Sequence, residues 1–227
     1  MSEETWVTLA RATTPRGDLA LRERRRSGHV VHELIIAGVF AMDSVDVSSE
    51  VALAESALAG AHNPARVLVG GLGLGYTAAA LLEDARVEQV VIAELEGPLI
   101  AWARAGLTPQ LGALAASPRV ELREQDIAHS LAAAESFDAI LLDVDNGPSF
   151  LVHQENGSLY ADSALAQAIS LLTSGGVLSI WAAQPEPALL ERLTRLSAGR
   201  NGWTVEERLI PISRDGRSFD YAIYQVR

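Results

Sequence analysis

The sequence predicts an α/β protein built on a doubly wound, mostly parallel seven-stranded sheet, preceded by a small antiparallel β meander. Three observations carry this. Short apolar runs alternate with helical stretches from residue 66 to residue 198, the pattern of strand and crossover helix in a parallel sheet. The first of these runs, VLV at 67–69, leads directly into the glycine-rich turn GGLGLG and then into a helix. The chain closes with two β-like runs, WTVEERLI and SFDYAIYQV, joined by a short turn at 213–217, which predicts an antiparallel hairpin at one sheet edge.

Taken in order, residues 6–40 hold WVTLAR, LALRERR and HVVHELIIAGVF, separated by Pro15, Gly17, Ser27 and Gly28. These are β-like runs with turn residues where the chain must reverse, so they form the meander. The run from Arg22 to Arg26 is read as a solvated hairpin face, with a surface for an acidic partner as the alternative. Residues 1–46 thus make an N-terminal unit and 47–227 the main α/β unit. SSEVALAESALAGA at 48–61 has apolar residues at helical spacing and serines suited to capping, and Asn63-Pro64 stops it. The first strand and helix lie within 66–83. The second strand, VEQVVIAE, ends at Glu94 and is followed by a helix at 98–105 and a helical turn at 109–115. The third strand is RVELRE, with a helix at 128–134. The fourth, FDAILLD, ends at Asp143 and opens the long loop DVDNGPSFLVHQENGSLY before a helix at 162–172. A fifth strand, VLSIWAA, and a helix at 187–198 precede the closing hairpin.

Composition narrows the function. A chain of 227 residues with 48% hydrophobic content fills one α/β domain and a small appendage. A formal net charge of −11 argues against a non-specific nucleic-acid binder, because phosphate contacts need clustered cations. The absence of cysteine excludes disulfides, thiolate metal sites and a Cys nucleophile. The acidic N-terminus lacks the apolar segment of a signal peptide, and no apolar run reaches about 18 residues, so a cytoplasmic protein with no membrane span is expected. His29, His32, His62, His129 and His153 lack the helical pair spacing of a zinc hydrolase, and no metal is expected.

In an open α/β sheet, ligands bind outside the carboxyl ends of the strands. Here those ends carry Gly71, Gly73 and Gly75, then Glu94, then Asp126, then Asp143. Glycine lets the backbone turn sharply and lets a ligand approach closely. The third glycine follows the second by two residues, where the dinucleotide fingerprint has three, which disfavours a pyrophosphate. Glu94, at the second strand tip, is placed to accept the hydroxyls of a ribose. Both NAD and S-adenosylmethionine carry such a ribose, and the glycine spacing favours the latter. Leu95 joins this cofactor-binding set. Asp126 either accepts from an adenine amino group or caps the following helix, and Ile127 lies against the ring. Asp143 is the candidate catalytic residue, positioning a nucleophile or taking its proton. Asp145 and Asn146 suit a cationic acceptor such as an amine, or serve as ordinary turn residues. Trp181 ends the fifth strand, either in an acceptor pocket or in the core.

From about Leu34 onward the chain resembles the spermidine and spermine synthases, the polyamine aminopropyltransferases. The resemblance rests on VLVGGLGLGYT, on Glu94 in IAELE, on Asp126 in QDI, and on Asp143 in ILLDVDNGP with Tyr160 after it. It implies the Rossmann-like class I methyltransferase fold, whose sheet also ends in an antiparallel pair. It implies that Glu94 holds ribose, that Asp126 contacts adenine, and that Asp143 orients and deprotonates an amine beside a substrate-side Tyr160. It further implies S-adenosylmethionine or its decarboxylated form as cofactor, a small-molecule acceptor and a homodimer. The departures are Leu74 where that family's turn has an aspartate, Ala41 in place of a glutamine, and Glu50, Val51 and Ala52 where its polyamine-gripping residues stand. A neutral Leu74 removes repulsion against a cofactor carrying a carboxylate, so methyl transfer to a small acceptor is the leading expectation. Aminopropyl transfer in polyamine biosynthesis is the first alternative, and a catalytically silent nucleoside-binding or assembly protein the second.

Overall fold

The computed structural model describes residues 5–26, 28–144, 147–149, 151, 154–200, 202–214 and 217–227. The chain begins with a four-stranded antiparallel sheet in sequential order, β1 (Thr5–Thr14), β2 (Gly17–Arg26), β3 (His29–Ile36) and β4 (Val39–Asp43). The run HVVHELIIAGVF, expected as a single β segment, divides at Ala37 and Gly38. Both adopt positive φ (51° and 76°), as a two-residue hairpin turn that follows strand twist requires. Leu19 and Leu21 of β2 and Leu34 of β3 are fully buried, and Leu21 pairs directly with Leu34. These leucines join the core under the larger sheet, so the meander is packed onto the rest of the molecule.

The larger sheet has seven strands: β5 (Arg66–Gly70), β6 (Gln89–Glu94), β7 (Val120–Glu124), β8 (Phe137–Leu142), β9 (Leu172–Ala182), β10 (Val205–Arg214) and β11 (Arg217–Val226). Their order is β10-β11-β9-β8-β5-β6-β7. Strands β5 to β9 are parallel, while β11 runs antiparallel to both β9 and β10. Successive residues of the buried strands feed opposite cores. Val67 and Val69 face one and Leu68 the other; Val90 and Ile92 oppose Val91 and Ala93; Ala139 and Leu141 oppose Ile140 and Leu142. This double burial is why the strands are apolar runs without alternation.

The first core is covered by α1 (Ser48–Gly60), α2 (Tyr76–Leu82), α3 (Gly97–Arg104), α4 (Pro109–Ala116) and the meander; the second by α5 (Ile127–Ala132), α6 (Asp162–Ser170) and α7 (Pro187–Ser197). Helix α1 is not capped by its serines. Its N-cap is Val47, and the Asp46 carboxylate instead accepts from the Ser48 amide (3.0 Å) and hydroxyl (2.6 Å). Strand β9 starts five residues before the apolar run that marks it, because Leu172 already pairs with Phe137 and α6 ends at Ser170. The loop after β8 contains a 3₁₀ helix, Gln154–Tyr160. No helix among the described residues is long and apolar enough to cross a membrane.

Because β5 pairs with β6 on one side and β8 on the other, the chain reverses its direction of travel there. The crevice at the carboxyl ends of β5 and β8 is the topological switch point.

Away from that crevice, buried Tyr224 ties three elements together. Its hydroxyl donates to Glu207 (2.6 Å) on β10 and accepts the amide of Glu186 (2.5 Å) at the head of α7, whose carboxylate receives Ser149 (2.7 Å) from the loop after β8. Tyr224→Phe should therefore lower the unfolding free energy by roughly 1–2 kcal/mol, chiefly because the amide of buried Glu186 loses its partner while the exposed Glu207 carboxylate turns to water. Urea denaturation measures it, and an unchanged midpoint would show that water replaces the hydroxyl.

Candidate functional site

At the end of β5 the backbone enters left-handed conformations at Gly71 (φ 93°), Gly73 (φ 51°) and Gly75 (φ 89°). Space is tight at each, against backbone at Gly71 and against side-chain ends at the other two. A Cβ on Gly71 would sit 2.4 Å from the Asp143 carbonyl oxygen, one on Gly73 2.8 Å from Met42 Sδ, and one on Gly75 2.3 Å from Leu114 Cδ1. The turn is stitched to both neighbouring strands: Gly71 N–H donates to the Ala93 carbonyl (2.9 Å) and Asp143 N–H to that of Gly70 (3.0 Å). Leu74 differs from the sequence-based expectation. Its side chain is buried in the core, off the cleft, and its N–H donates to Met42 Sδ (3.2 Å) of β4.

Over this turn lies a cleft of about 180 Å³, floored by the strand ends and roofed by β3 and β4 through Leu34, Ile36, Ala41 and Met42. Every expected cofactor-binding residue reaches it: Gly71, Gly73, Gly75, Glu94, Leu95, Asp126, Ile127 and Asp143.

Glu94 is buried, and both of its oxygens already accept backbone amides, Leu72 at 2.8 Å and Glu96 at 2.7 Å. Its carboxyl is pushed above the usual range by burial and by the neighbouring Glu96, with the amide bonds opposing. Glu94 thus shapes the glycine turn as well as presenting its remaining lone pairs to the cleft. Asp126 caps α5, accepting the Ala128 amide (2.8 Å), while it also lines the cleft; the cap and the cleft position coexist. Ile127 packs beneath Gly70, where a Cβ would come within 3.0 Å of its Cγ1.

Asp143 lies half-buried in the cleft wall and accepts the Thr77 hydroxyl (2.6 Å) from the first turn of α2. Burial first, and the Glu50 carboxylate second, push its carboxyl up to about 7, against the Thr77 bond. Asp145 and Asn146 lie outside the described residues. Tyr160 is not among the cleft-lining residues: it is buried, its hydroxyl donates to the Val144 carbonyl (3.0 Å), and its own carbonyl accepts from Arg192 (2.5 Å). It supports the strand end that carries Asp143.

Among the cleft residues with no role assigned from sequence, four bear on its chemistry. Glu50 comes from the first turn of α1, Thr77 from α2, and Met42 from β4. Glu96, only 4% exposed, is paired through Oε1 with Arg16 (2.7 Å) from the β1–β2 turn, and the same guanidinium donates to the Leu95 carbonyl. Its Oε2 is buried without a hydrogen-bond partner. The sequence signal for Glu96 was its place two residues beyond a strand-tip carboxylate; nothing local marked Arg16, eighty residues away.

A second cavity of about 150 Å³ adjoins the cleft, bounded by Phe40, Asp43, Asp46, Ser49, Ile212 and Tyr221. The two share Ala41, Met42, Glu50 and Trp181. Trp181 therefore serves the site as well as packing edge-on against Tyr221 (centroids 4.9 Å apart). Among the described residues, no group of three or more His, Cys, Asp or Glu is arranged to hold a metal ion.

A family model described as the methyltransferase small domain matches residues 31–196. Among solved structures, the chain is similar to a spermidine synthase crystallised with the transition state analogue AdoDATO, with a TM-score of 0.77 and 20% identity over 96% of this chain and 73% of that one. It is also similar to the spermidine synthase of Thermotoga maritima, with a TM-score of 0.73 and 17% identity over 96% and 72% of the two chains. No curated protein matches the sequence at a significant level.

The raised Asp143 has a consequence for stability. A carboxyl whose folded pKa lies near 7 against an ordinary 3.8 stabilises the fold fully below the lower value and loses that contribution as pH rises through the higher. Asp143→Asn should thus melt with the parent protein near pH 4 and above it at pH 8, by up to about 4 kcal/mol. Thermal melts across that range test this, and parallel curves would mean that Asp143 is ionised and solvated throughout.

Proposed function

From the premise that this chain belongs to the methyltransferase small domain family, we propose that it is an S-adenosylmethionine-dependent transferase that moves a methyl group to a small cationic acceptor. One observation carries the reading: the glycine turn, Glu94, Asp126 and Asp143, up to 72 residues apart in the chain, line a single cleft at the switch point. The residues fit the donor. The three glycines keep the turn open to close approach, and the buried, unpartnered Glu96 Oε2 awaits a donor such as a hydroxyl. Glu94 and Glu96 hold the ribose end, Asp126 and Ile127 the adenine. The sulfonium supplies an electrophilic methyl carbon for in-line displacement. The remaining work is positional: Asp143, held by Thr77, orients the acceptor, and the roof of β3 and β4 excludes water.

The acceptor enters from the second cavity, which presents Asp43, Asp46 and Glu50 beside Trp181 and Tyr221. Carboxylates with aromatic faces favour a cation.

A second reading, aminopropyl transfer from decarboxylated S-adenosylmethionine, has its own observation. Among the described residues lining the two cavities none is basic, so no side chain there pairs the carboxylate of the intact donor. The structural relatives with that activity support the same reading.

Incubation with each donor separates the two by product. S-adenosylhomocysteine is expected from the intact donor; methylthioadenosine from the decarboxylated one would move the assignment to aminopropyl transfer. Glu94→Ala should weaken donor binding in calorimetry at least tenfold. Undiminished binding would remove the ribose role, and failure of the parent protein to bind either donor would leave a catalytically silent protein.

A further inference from the structure

The tip of the β1–β2 hairpin reaches the strand ends from outside the large sheet. Thr14 pairs with Gly17, which leaves Pro15 and Arg16 as the turn. The Thr14 hydroxyl accepts the Arg16 amide (3.2 Å) and donates to the Gly17 carbonyl (3.3 Å), while the Ala37 amide of the neighbouring hairpin donates to the Asp18 carbonyl (2.8 Å). Arg16 is therefore presented from a braced turn. Its Nε donates to Glu96 Oε1 (2.7 Å) and its Nη2 to the Leu95 carbonyl, a two-pronged contact suited to a guanidinium.

Glu96 is fixed from the large sheet as well. Its amide donates to Glu94 Oε1 (2.7 Å), and its carbonyl accepts from the Leu99 amide (2.9 Å) in the first turn of α3. Its side chain lines the cleft at 4% exposure, with Oε1 on Arg16 and Oε2 buried without a hydrogen-bond partner. Such an oxygen is costly to bury, and a ligand hydroxyl would relieve it. We propose that Arg16 is a positioning residue for the donor's ribose: by taking one oxygen of Glu96, it holds the other ready to accept a ribose hydroxyl in the cleft. This rests on the transferase reading above and on the place given there to the ribose.

The N-terminal hairpin is then part of the donor site as well as of its roof. Without Arg16, Glu96 Oε1 loses its partner, and the carboxylate is free to turn toward water. The loss falls on hydroxyl recognition, because in the same reading Asp126, Ile127 and the glycine turn hold the rest of the nucleoside from other elements. That separates a positioning role from a general loosening of the fold.

Methylthioadenosine carries the ribose and adenine of both candidate donors and the charged tail of neither, so it reads this contact whichever group is transferred. Calorimetry compares it with its two monodeoxy forms, each lacking one ribose hydroxyl. The parent protein should prefer the full ribonucleoside over one deoxy form by about tenfold or more, as a hydrogen bond to a charged group implies. Arg16→Met should cut that preference about fivefold while affinity for the deoxy form stays within about twofold, which also reports a folded protein. Glu96→Gln should lose the preference to the same extent, and Arg16→Met added to it should change the preference by less than about twofold, because both act on one contact. Arg16→Lys, which keeps the charge, should restore part of it. An undiminished preference in Arg16→Met, or equal losses for the full and deoxy forms, overturns the positioning role, and so does the lack of any preference in the parent protein. Binding of none of the three nucleosides by the parent protein instead overturns the transferase reading on which it rests.

Discussion

The whole site depends on a close approach of two strand ends. At the switch point the left-handed backbone of Gly71 lies so near the Asp143 carbonyl that a single methyl group would separate them. The Gly70–Asp143 backbone bond and the Thr77–Asp143 side-chain bond close the same gap from either side. This contact brings the glycine turn and the strand-end carboxylate onto one wall. The crevice that results is open because parallel strands diverge there, with one crossover leading to β6 and another to β8.

The N-terminal sheet turns that open crevice into an enclosed cleft. Its buried leucines anchor it to the first core, and two polar attachments tie it to the strand ends of the site. Met42 accepts the Leu74 amide at the glycine turn, and Arg16 binds Glu96 and the Leu95 carbonyl beyond the tip of β6. The roof thereby supplies polar contacts and a hydrophobic lining that the large sheet lacks, and it creates the second cavity with β9, β10 and β11.

Electrostatically the site is one-sided. All 18 basic residues of the chain are arginines, and among the described residues none lines either cavity, while five carboxylates line the cleft alone. Four of the five are held by local compensation. Glu94 is bound by two amides, Glu96 by Arg16, Asp126 by its helix, and Asp143 by Thr77 together with a raised pKa. The carboxylates are therefore organised before any ligand arrives, which is the condition for electrostatic recognition of a cation in a partly dry site.

The sequence by itself determined the strand-and-helix alternation, the antiparallel closing hairpin and the strand-end residues of the cleft, because each is a local signal. Double-sided burial makes an apolar run, a left-handed turn demands glycine, and a strand tip is visible as the last apolar residue before an acid. Only the tertiary structure decided the rest. Arg16 meets Glu96 across eighty residues, Met42 meets Leu74 across thirty-two, and Glu50 joins Asp143 in lining one cleft from a helix that carries no motif of its own. It also turned Leu74 into the core and made Tyr160 a support for Val144. Side-chain direction at a turn and pairing between distant elements are set by how the meander packs onto the sheet, and no spacing along the chain records that packing.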